Sequence, residues 1–254
     1  MDPRVVDAVV IVLVAFVPSL VYLVWIRNTE KYSREPWGRL LRVFAYGAVF
    51  SVVIAVVLEL ILMTLYDQNI ERVYQALGEN PNLTMLVIAC VIAPFVEEAT
   101  KALGVFRARS MMGEIENGIV YGAAAGLGFA ATENLLYEGT AFLTDGAEAW
   151  IATAVVRSLS SALLHASASA VVGLGIAKSV RNGSSWAPYY LGAVVMHGSF
   201  NFAASFGVLY ADDIGDVAYL IGLAAAFLIA IVGISSMRSK IRALEGGRSR
   251  RIRR

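Results

Sequence analysis

Seven long apolar segments constrain the fold more than any other feature of this sequence. Each has about 20 residues or more, the length that a helix needs to cross the hydrocarbon core of a bilayer. They run approximately from Val5 to Ile26, Leu40 to Tyr66, Leu83 to Phe106, Gly118 to Leu143, Trp150 to Ala177, Ala187 to Val208 and Val217 to Met237. Hydrophobic residues make up 58% of the chain, which is too apolar for an ordinary soluble domain. No segment shows the period-two alternation of a β-barrel strand. The sequence therefore predicts an all-α, polytopic membrane helix bundle of about seven transmembrane helices.

Lysine and arginine predict the orientation of this bundle, because loops rich in these residues stay on the cytoplasmic side. Of the 21 basic residues, 17 follow the first, third, fifth and seventh helices, and only Arg4 and Arg72 lie at the other side. Acidic residues such as Glu79 and Asp212 lie at that other side. We expect the N-terminus outside, the C-terminus inside, one integral-membrane domain over residues 1–237 and a basic cytoplasmic tail over residues 238–254. The same rule accounts for the basic tail, so we expect the lipid bilayer and no nucleic acid as its partner.

Polar side chains inside the apolar segments are the candidate functional residues. A charged group at the bilayer centre costs roughly 2.5–3.5 kcal/mol even on the lenient insertion scale, so such groups mark function by default. At 1.5 Å of rise per residue, four of them lie roughly 15–22 Å from the outer helix ends and can share one layer, provided that the fourth helix continues past Gly139. The four are Glu97, Glu133, His165 and His197, and the remaining polar residues are Glu59, Glu98, Lys101, Asn134, Arg157 and Asn201.

Helical spacing gives some of these charges a partner. Lys101 lies one turn from Glu97 and beside Glu98, so we expect it to neutralise one of these carboxylates. Glu59 is alone on the second helix, and we expect it to pair with Arg157 as a structural contact.

Two backbone features accompany the polar residues. Pro94 removes a backbone hydrogen bond just before the glutamates and predicts a bend in the third helix. Glycines in steps of four predict close packing of the fourth helix against a neighbour, and they are Gly118, Gly122 and Gly126.

Four short motifs carry a resemblance to a known family. "EEATK" at 97–101 resembles an EExxK motif, "FAATEN" at 129–134 resembles FxxxEN, "HGSFN" at 197–201 resembles HxxxN, and "HASAS" at 165–169 adds a further intramembrane histidine. In this order on successive helices, they resemble the PrsW family of intramembrane proteases, which is distantly related to the type II CAAX-processing and Abi membrane proteases. The resemblance covers about Leu83 to Phe202, and we expect a catalytic core over about 83–208.

What the resemblance implies is cleavage of a membrane-spanning or membrane-anchored protein, as in the release of a membrane-bound anti-sigma factor in bacteria. It also implies a multi-pass protein of the cell membrane of a bacterium or archaeon.

The motif residues include the groups that peptide hydrolysis requires. Glutamate and histidine are common zinc ligands, and a catalytic zinc keeps one position open for water. Glu133, His165, His197 and one carboxylate of the 97/98 pair are candidate ligands, with the other glutamate as general base. The first glutamate of the motif is the more probable base in the resembling families, so the expected base is Glu97 and the fourth expected ligand is Glu98.

Other motif residues are expected to assist, and two alternatives stay open. Asn201 is a candidate donor to the tetrahedral oxyanion, with Lys101, Phe129 and Asn134 in support. The first alternative is a metal-free site in which a glutamate activates water directly. The second is a proton- or cation-coupled transporter, which also places carboxylates and histidines at the midplane. A retinal protein is excluded because the seventh helix, Val217 to Met237, contains no lysine.

Overall fold

A computed structural model of the chain describes residues 3–32, 34–78 and 82–252, which form a helical bundle without β-strands in those ranges. The helices are Pro3–Arg27, Trp37–Tyr46, Val52–Asp67, Ile70–Leu77, Leu83–Val87, Ala93–Arg107, Ile115–Asp145, Ala147–Leu159, Ser161–Asn182, Ala187–Ile214 and Val217–Ile252. Seven segments of these ranges are long and apolar enough to cross a bilayer, which confirms the predicted architecture. Glu79, Arg253 and Arg254, which the sequence places in an outer loop and in the tail, lie outside the described residues.

The seven segments are numbered here as spans 1 to 7. They are Val5–Arg27, Trp37–Asp67, Leu83–Arg107, Ile115–Asp145, Ala147–Asn182, Ala187–Ile214 and Val217–Gly247. Span 4 is continuous past Gly139, as the depth estimate for Glu133 requires. The helix that contains span 7 continues to Ile252, beyond the predicted end of the apolar segment at Met237.

Three spans contain an interruption that the apolar pattern does not show. Wide π-helical turns occupy Gly47–Ser51 in span 2 and Ile88–Ile92 in span 3, and span 5 is broken at Ser160. The turn in span 3 ends directly before Ala93 and Pro94, where the proline lacks a backbone donor. The backbone is therefore irregular at the place where Pro94 predicts a distortion, one turn before the paired glutamates.

Spans 4 and 5 form the centre of the bundle. Their most apolar windows are 78% and 89% buried, whereas those of the other five spans are 22–33% buried. The outer spans carry exposed apolar side chains such as Val195 and Leu220. Such a surface suits lipid, because an apolar face this extensive is unstable in water.

A row of glycines brings the two central spans into backbone contact. A Cβ atom added at Gly122 would lie 2.1 Å from the carbonyl oxygen of Ser169, and one added at Gly126 would lie 2.1 Å from that of His165. Gly118 faces the carbonyl of Gly173 in the same way. The predicted close packing is confirmed, and it places the His165 backbone directly against span 4.

The two ends of the bundle differ in charge and are named accordingly. The basic end carries the described parts of the first connection at 28–32 and 34–36, the connections at 108–114 and 183–186 and the last turns of span 7. The acidic end carries the connections at 68–78, 146 and 215–216. At the basic end, the Glu245 carboxylate accepts backbone N–H groups of Lys31 and Tyr32 at 2.9–3.2 Å. This contact joins the first connection to the last helix.

Candidate active site

Two histidines and a glutamate from three different spans meet in the interior of the bundle. One ligand-type atom from each of Glu97, His165 and His197 lies within 4.8 Å of the other two. Glu97 Oε2 is 3.8 Å from His165 Nδ1 and 3.9 Å from His197 Nε2, and the two imidazole rings are 4.8 Å apart, centre to centre. The three side chains are nearly inaccessible to solvent. The structure thus brings together three of the predicted site residues around one point.

Each imidazole uses its second nitrogen to contact a further carboxylate. His165 Nε2 lies 2.8 Å from Glu133 Oε2, and His197 Nδ1 lies 3.1 Å from Glu98 Oε1. Because a carboxylate accepts hydrogen bonds, these contacts favour the tautomers with protons on those two nitrogens. The nitrogens that face Glu97 then keep their lone pairs. Glu98 and Glu133, two predicted metal ligands, therefore lie on the far sides of the imidazole rings from Glu97.

Lys101 places an ammonium group among these carboxylates. Its Nζ is 2.7 Å from Glu98 Oε1 and 3.2 Å from Glu97 Oε2, so it pairs with both glutamates of its motif. The same atom lies 2.8 Å from His165 Nδ1 and 4.4 Å from the centre of the Phe129 ring. Ser169 donates a hydrogen bond to the other oxygen of Glu98 at 3.0 Å.

Arg157 holds Glu133 at the edge of the cluster. Its Nη2 lies 2.7 Å from Glu133 Oε2, its Nε donates to Asn134 Oδ1 at 2.9 Å, and its guanidinium stacks 3.8 Å above the Tyr137 ring. The predicted pair of Arg157 with Glu59 is wrong. The guanidinium pairs with Glu133 on span 4 instead, and the Glu59 Oε1 atom is buried without a hydrogen-bond partner among the described residues.

A cavity of about 500 Å³ gives access to the cluster. The Glu133 and Arg157 side chains line this cavity and are 21% and 18% exposed, so the cavity opens to the surface beside them. Its walls come from spans 2 to 6, and its polar lining consists of Glu59, Glu97, Glu133, Tyr137, Arg157, Ser161, His165, Asn201 and Ser205. The lining residues of span 3 extend from Ile88 to Glu97. At 1.5 Å per residue, Ile88 lies roughly 8 Å and Glu97 roughly 21 Å from the acidic end of this span. The cavity therefore occupies the half of the bundle that leads to the acidic end.

Comparisons with known proteins identify the family of this chain. Residues 35–232, most of the chain, match the family model described as "PrsW family intramembrane metalloprotease". The chain belongs to the PrsW family. The Protease PrsW of Clostridioides difficile (strain 630) is 34% identical over 128 residues, which span 49% of this chain and 49% of that protein. The Protease PrsW of Geobacillus kaustophilus is 27% identical over 73% of this chain and 75% of its own length. That of Shouchella clausii is 28% identical over 79% of this chain and 87% of its own length. No solved structure matches this chain.

The PrsW family is described as metalloproteases, so the donor atoms must be compared with the needs of a divalent ion. One carboxylate and two imidazoles form the same donor set as a two-histidine, one-glutamate zinc site, which leaves a position for water. Glu97 Oε2 is a buried oxygen without a hydrogen-bond partner, although the Lys101 ammonium lies nearby. The second nitrogens of both imidazoles contact carboxylates, which is the usual arrangement around zinc-bound histidines. These residues fit a zinc-type ion, provided that the Lys101 ammonium withdraws from His165 Nδ1, 2.8 Å away, and from Glu97 Oε2 while it keeps its contact with Glu98.

Asn201 and Asn134 take hydrogen bonds within the PrsW site. Asn201 lines the cavity and donates one amide hydrogen to the carbonyl oxygen of Ala89 at 2.7 Å, in the π-helical turn of span 3. An amide nitrogen has two hydrogens, so this contact leaves one of them for a ligand in the cavity. Asn134 is buried and supports Arg157.

Two polar residues near this PrsW site were not recognised from the sequence. Ser169 lies one turn from His165 and donates a hydrogen bond to Glu98. From the sequence, its hydroxyl could equally bond to the backbone of its own helix, so its position did not identify the partner. Glu138 is fully buried in span 4, and neither of its carboxylate oxygens has a hydrogen-bond partner among the described residues. A carboxylate inside an apolar segment indicates function by default, so the sequence was sufficient to single out Glu138.

Proposed function

We propose that this protein is an intramembrane endopeptidase that hydrolyses a peptide bond of a membrane-associated protein in the cavity beside Glu97, His165 and His197. The observation that carries the proposal is the convergence of this carboxylate with two imidazoles, each held by a further carboxylate on its second nitrogen. An inert helix contact has no need for this arrangement, since buried charges are costly unless they are paired or used.

Glu97 has the central role in this mechanism. It lines the cavity, and its Oε2 is buried, forms an ion pair with the Lys101 ammonium at 3.2 Å and accepts no hydrogen bond from the described residues. Oε2 is the atom that would bind a zinc-type ion together with His165 Nδ1 and His197 Nε2. A carboxylate that binds through one oxygen keeps the other free. We assign the proton of the attacking water to that second oxygen, so Glu97 acts as general base.

A bound ion would lower the pKa of its water and polarise the carbonyl of the scissile bond. The chain itself supplies the orientation: Glu133 and Glu98 hold the imidazole tautomers, and Lys101 balances the charge of the adjacent glutamates. The second amide hydrogen of Asn201 is available for the oxyanion that develops on the substrate. Arg157 acts through Glu133, which it fixes against His165.

The substrate class follows from where the cavity lies. A segment that reaches Glu97 must enter the bundle between apolar, lipid-facing spans, which suits a polypeptide that already resides in the membrane. We propose a single-span or membrane-anchored regulatory protein of the anti-sigma-factor type, cleaved by a multi-pass enzyme of a bacterial cell membrane. The Protease PrsW relatives come from bacteria.

The test is cleavage of single-span candidate substrates by the purified protein in lipid nanodiscs, together with its bound-metal content. Glu97→Gln keeps the side-chain volume and removes the carboxylate. Loss of a general base costs about 10² to 10⁴ in rate, or roughly 3 to 5 kcal/mol of barrier. We expect the variant to fold and to capture substrate, to leave it uncut, and to contain less zinc than the wild type. The matched control is Glu71→Gln on the exposed helix Ile70–Leu77, which should cut at the wild-type rate.

Each contrary result has a defined meaning. Wild-type cleavage by Glu97→Gln would remove Glu97 from the mechanism and transfer the role of base to Glu98. Normal zinc content in an inactive Glu97→Gln protein would make Glu97 the base alone and not a ligand. If the wild type cuts no membrane protein, and Glu97→Gln abolishes pH-dependent ion flux in liposomes, the protein is a transporter.

A further inference from the structure

Glu59 is a charged residue of the cavity that the proposed mechanism does not use. It enters the cavity from span 2 and is not among the donors that converge on one point. Its Oε1 atom is buried and has no hydrogen-bond partner within the described part of the chain. A buried acceptor without a donor is destabilising, and more so when it is charged, so a ligand that supplies the missing donor gains binding free energy.

The other charges that line the cavity already have partners. Glu97 lies beside Lys101, and Glu133 is bound to Arg157 at 2.7 Å. Arg157, the cation of the described lining, also donates to Asn134 and Ser161 and stacks on a tyrosine ring. Arg157 is therefore not free to form an ion pair with Glu59. Among the charged side chains of the described cavity lining, the Glu59 carboxylate is the one without an ion-pair partner.

The position of Glu59 relates it to the scissile bond. It lies eight residues before the end of its helix at Asp67, and Glu97 lies 14 residues after the start of its own at Leu83. At 1.5 Å per residue, these depths are roughly 12 Å and 21 Å from the acidic end, a separation of about 9 Å along the bundle axis. An extended peptide advances about 3.3 Å per residue, so this separation corresponds to about three residues.

We propose that Glu59 is a substrate-recognition residue that binds a lysine or arginine side chain of the substrate. That side chain lies about three residues from the scissile bond, on the side that leads to the acidic end. This inference rests on the proposed peptidase function. A cation is the ligand that satisfies Glu59 in both charge and hydrogen bonding, and a low-dielectric cavity strengthens the pairing relative to water.

The experiment first maps the cut site in a cleaved single-span reporter protein by mass spectrometry. Each position within five residues of that bond is then changed to lysine or to glutamine. For the wild type, we expect kcat/KM for lysine to exceed that for glutamine by about tenfold or more at one position about three residues from the bond, and at no position on the opposite side. For Glu59→Gln, we expect this ratio to fall to about one. For Glu59→Lys, a glutamate at that position should become the preferred residue.

Controls separate recognition from folding and from the peptidase proposal. Glu71→Gln should keep the wild-type preference for lysine. Glu59→Gln should unfold at the wild-type temperature or above, since it replaces a partly buried carboxylate whose Oε1 atom has no partner among the described residues. Loss of a structural partner would instead lower that temperature. If the wild type cuts the reporter and Glu97→Gln does not, but no lysine preference exists or it survives in Glu59→Gln, only the role of Glu59 is overturned. If the wild type cuts no reporter, the peptidase proposal fails and this inference fails with it.

Discussion

The Lys101 side chain shows how this bundle tolerates carboxylates around its cavity. Its ammonium is completely buried, donates a hydrogen bond to Glu98 and forms an ion pair with Glu97 at 3.2 Å, while its other contacts are an imidazole and an aromatic face. A buried charge is tolerated only when its hydrogen bonds and its counter-charge are both present. Lys101 pairs with Glu97 and Glu98, and Arg157 pairs with Glu133. The fourth carboxylate of the cavity region, Glu59, is left for a ligand.

The identities of these residues could be predicted from the sequence, but their pairing could not. A charged side chain inside an apolar segment is conspicuous whatever its partner, which is why Glu97 and both histidines were recognised. The partner of Arg157 depends on the break at Ser160 and on the rotation of two helices, and apolar periodicity contains no information on either. The same limit explains why Glu98 and Glu133 were expected to converge with the histidines on one ion rather than to lie behind the rings.

Glu30 is a buried carboxylate outside the spans, and it makes folding dependent on pH. Burial raises the pKa of Glu30 from its usual 4.5 to about 7, the nearby Glu35 and Glu245 carboxylates add to the effect, and the backbone N–H of Glu35 opposes it at 2.9 Å. Below about pH 4.5, Glu30 is protonated in both the folded and the unfolded chain. Between about 4.5 and 7 only the unfolded chain releases the proton, so stability falls as the pH rises through this window.

We predict that Glu30→Gln removes part of this pH dependence. A shift of this size corresponds to at most roughly 3 kcal/mol of unfolding free energy. The measurement is the unfolding temperature in detergent at pH 5, 6, 7 and 8, and the wild type should lose stability relative to Glu30→Gln as the pH rises. Glu71→Gln, at an exposed position, should follow the wild type. Parallel curves for wild type and Glu30→Gln would show that Glu30 does not titrate in this range.

At the scale of the elements, the packing of spans 4 and 5 determines where His165 lies. We predict that Gly126→Ala is destabilising, because its Cβ would lie 2.1 Å from the His165 carbonyl oxygen, a backbone atom that cannot move aside alone. Overpacking of this kind costs about 1–3 kcal/mol. The matched control is Gly139→Ala in the same helix, where no atom lies within 4 Å of an added Cβ.

Thermal unfolding in detergent and cleavage of a reporter provide the two measurements for this pair. Gly126→Ala should lower both the unfolding temperature and the cleavage rate, since separation of the spans moves His165 away from Glu97. Gly139→Ala should lower neither quantity. Equal stability of the two variants would mean that spans 4 and 5 can separate without cost.

The existence of each span could be read from the sequence, whereas the helix ends could not. Hydropathy reports the segment that crosses hydrocarbon, but a helix continues as long as its backbone hydrogen bonds are satisfied. The last helix accordingly runs through Arg238 and Glu245 to Ile252, where charged side chains pack on the first connection. The π-helical turn at Gly47–Ser51 begins where Gly47 packs against the backbone of Ala125, a contact distant in sequence that no window average detects.

At the scale of the whole molecule, the chain separates its functions along the bundle axis. The basic end is closed by contacts between the first connection, span 4 and the last helix, including Tyr121 to Glu35 and Lys31 to Glu245. The cavity and the unpaired carboxylate of Glu59 lie in the other half. If the basic end is cytoplasmic, the cavity lies in the outer half of the membrane.

This orientation is the last prediction, and it rests on the 17 basic residues that the sequence assigns to one side against two at the other. Cys90 is the sole cysteine and is partly buried in span 3, so Cys90→Ala gives a background without reactive thiols. Asp213→Cys and Gly246→Cys then place one exposed thiol near the acidic end or at the basic end. A membrane-impermeant maleimide should label Asp213→Cys in sealed cells and Gly246→Cys only after permeabilisation. The opposite labelling pattern would invert the bundle, and the cavity would then face the cytoplasmic half of the membrane.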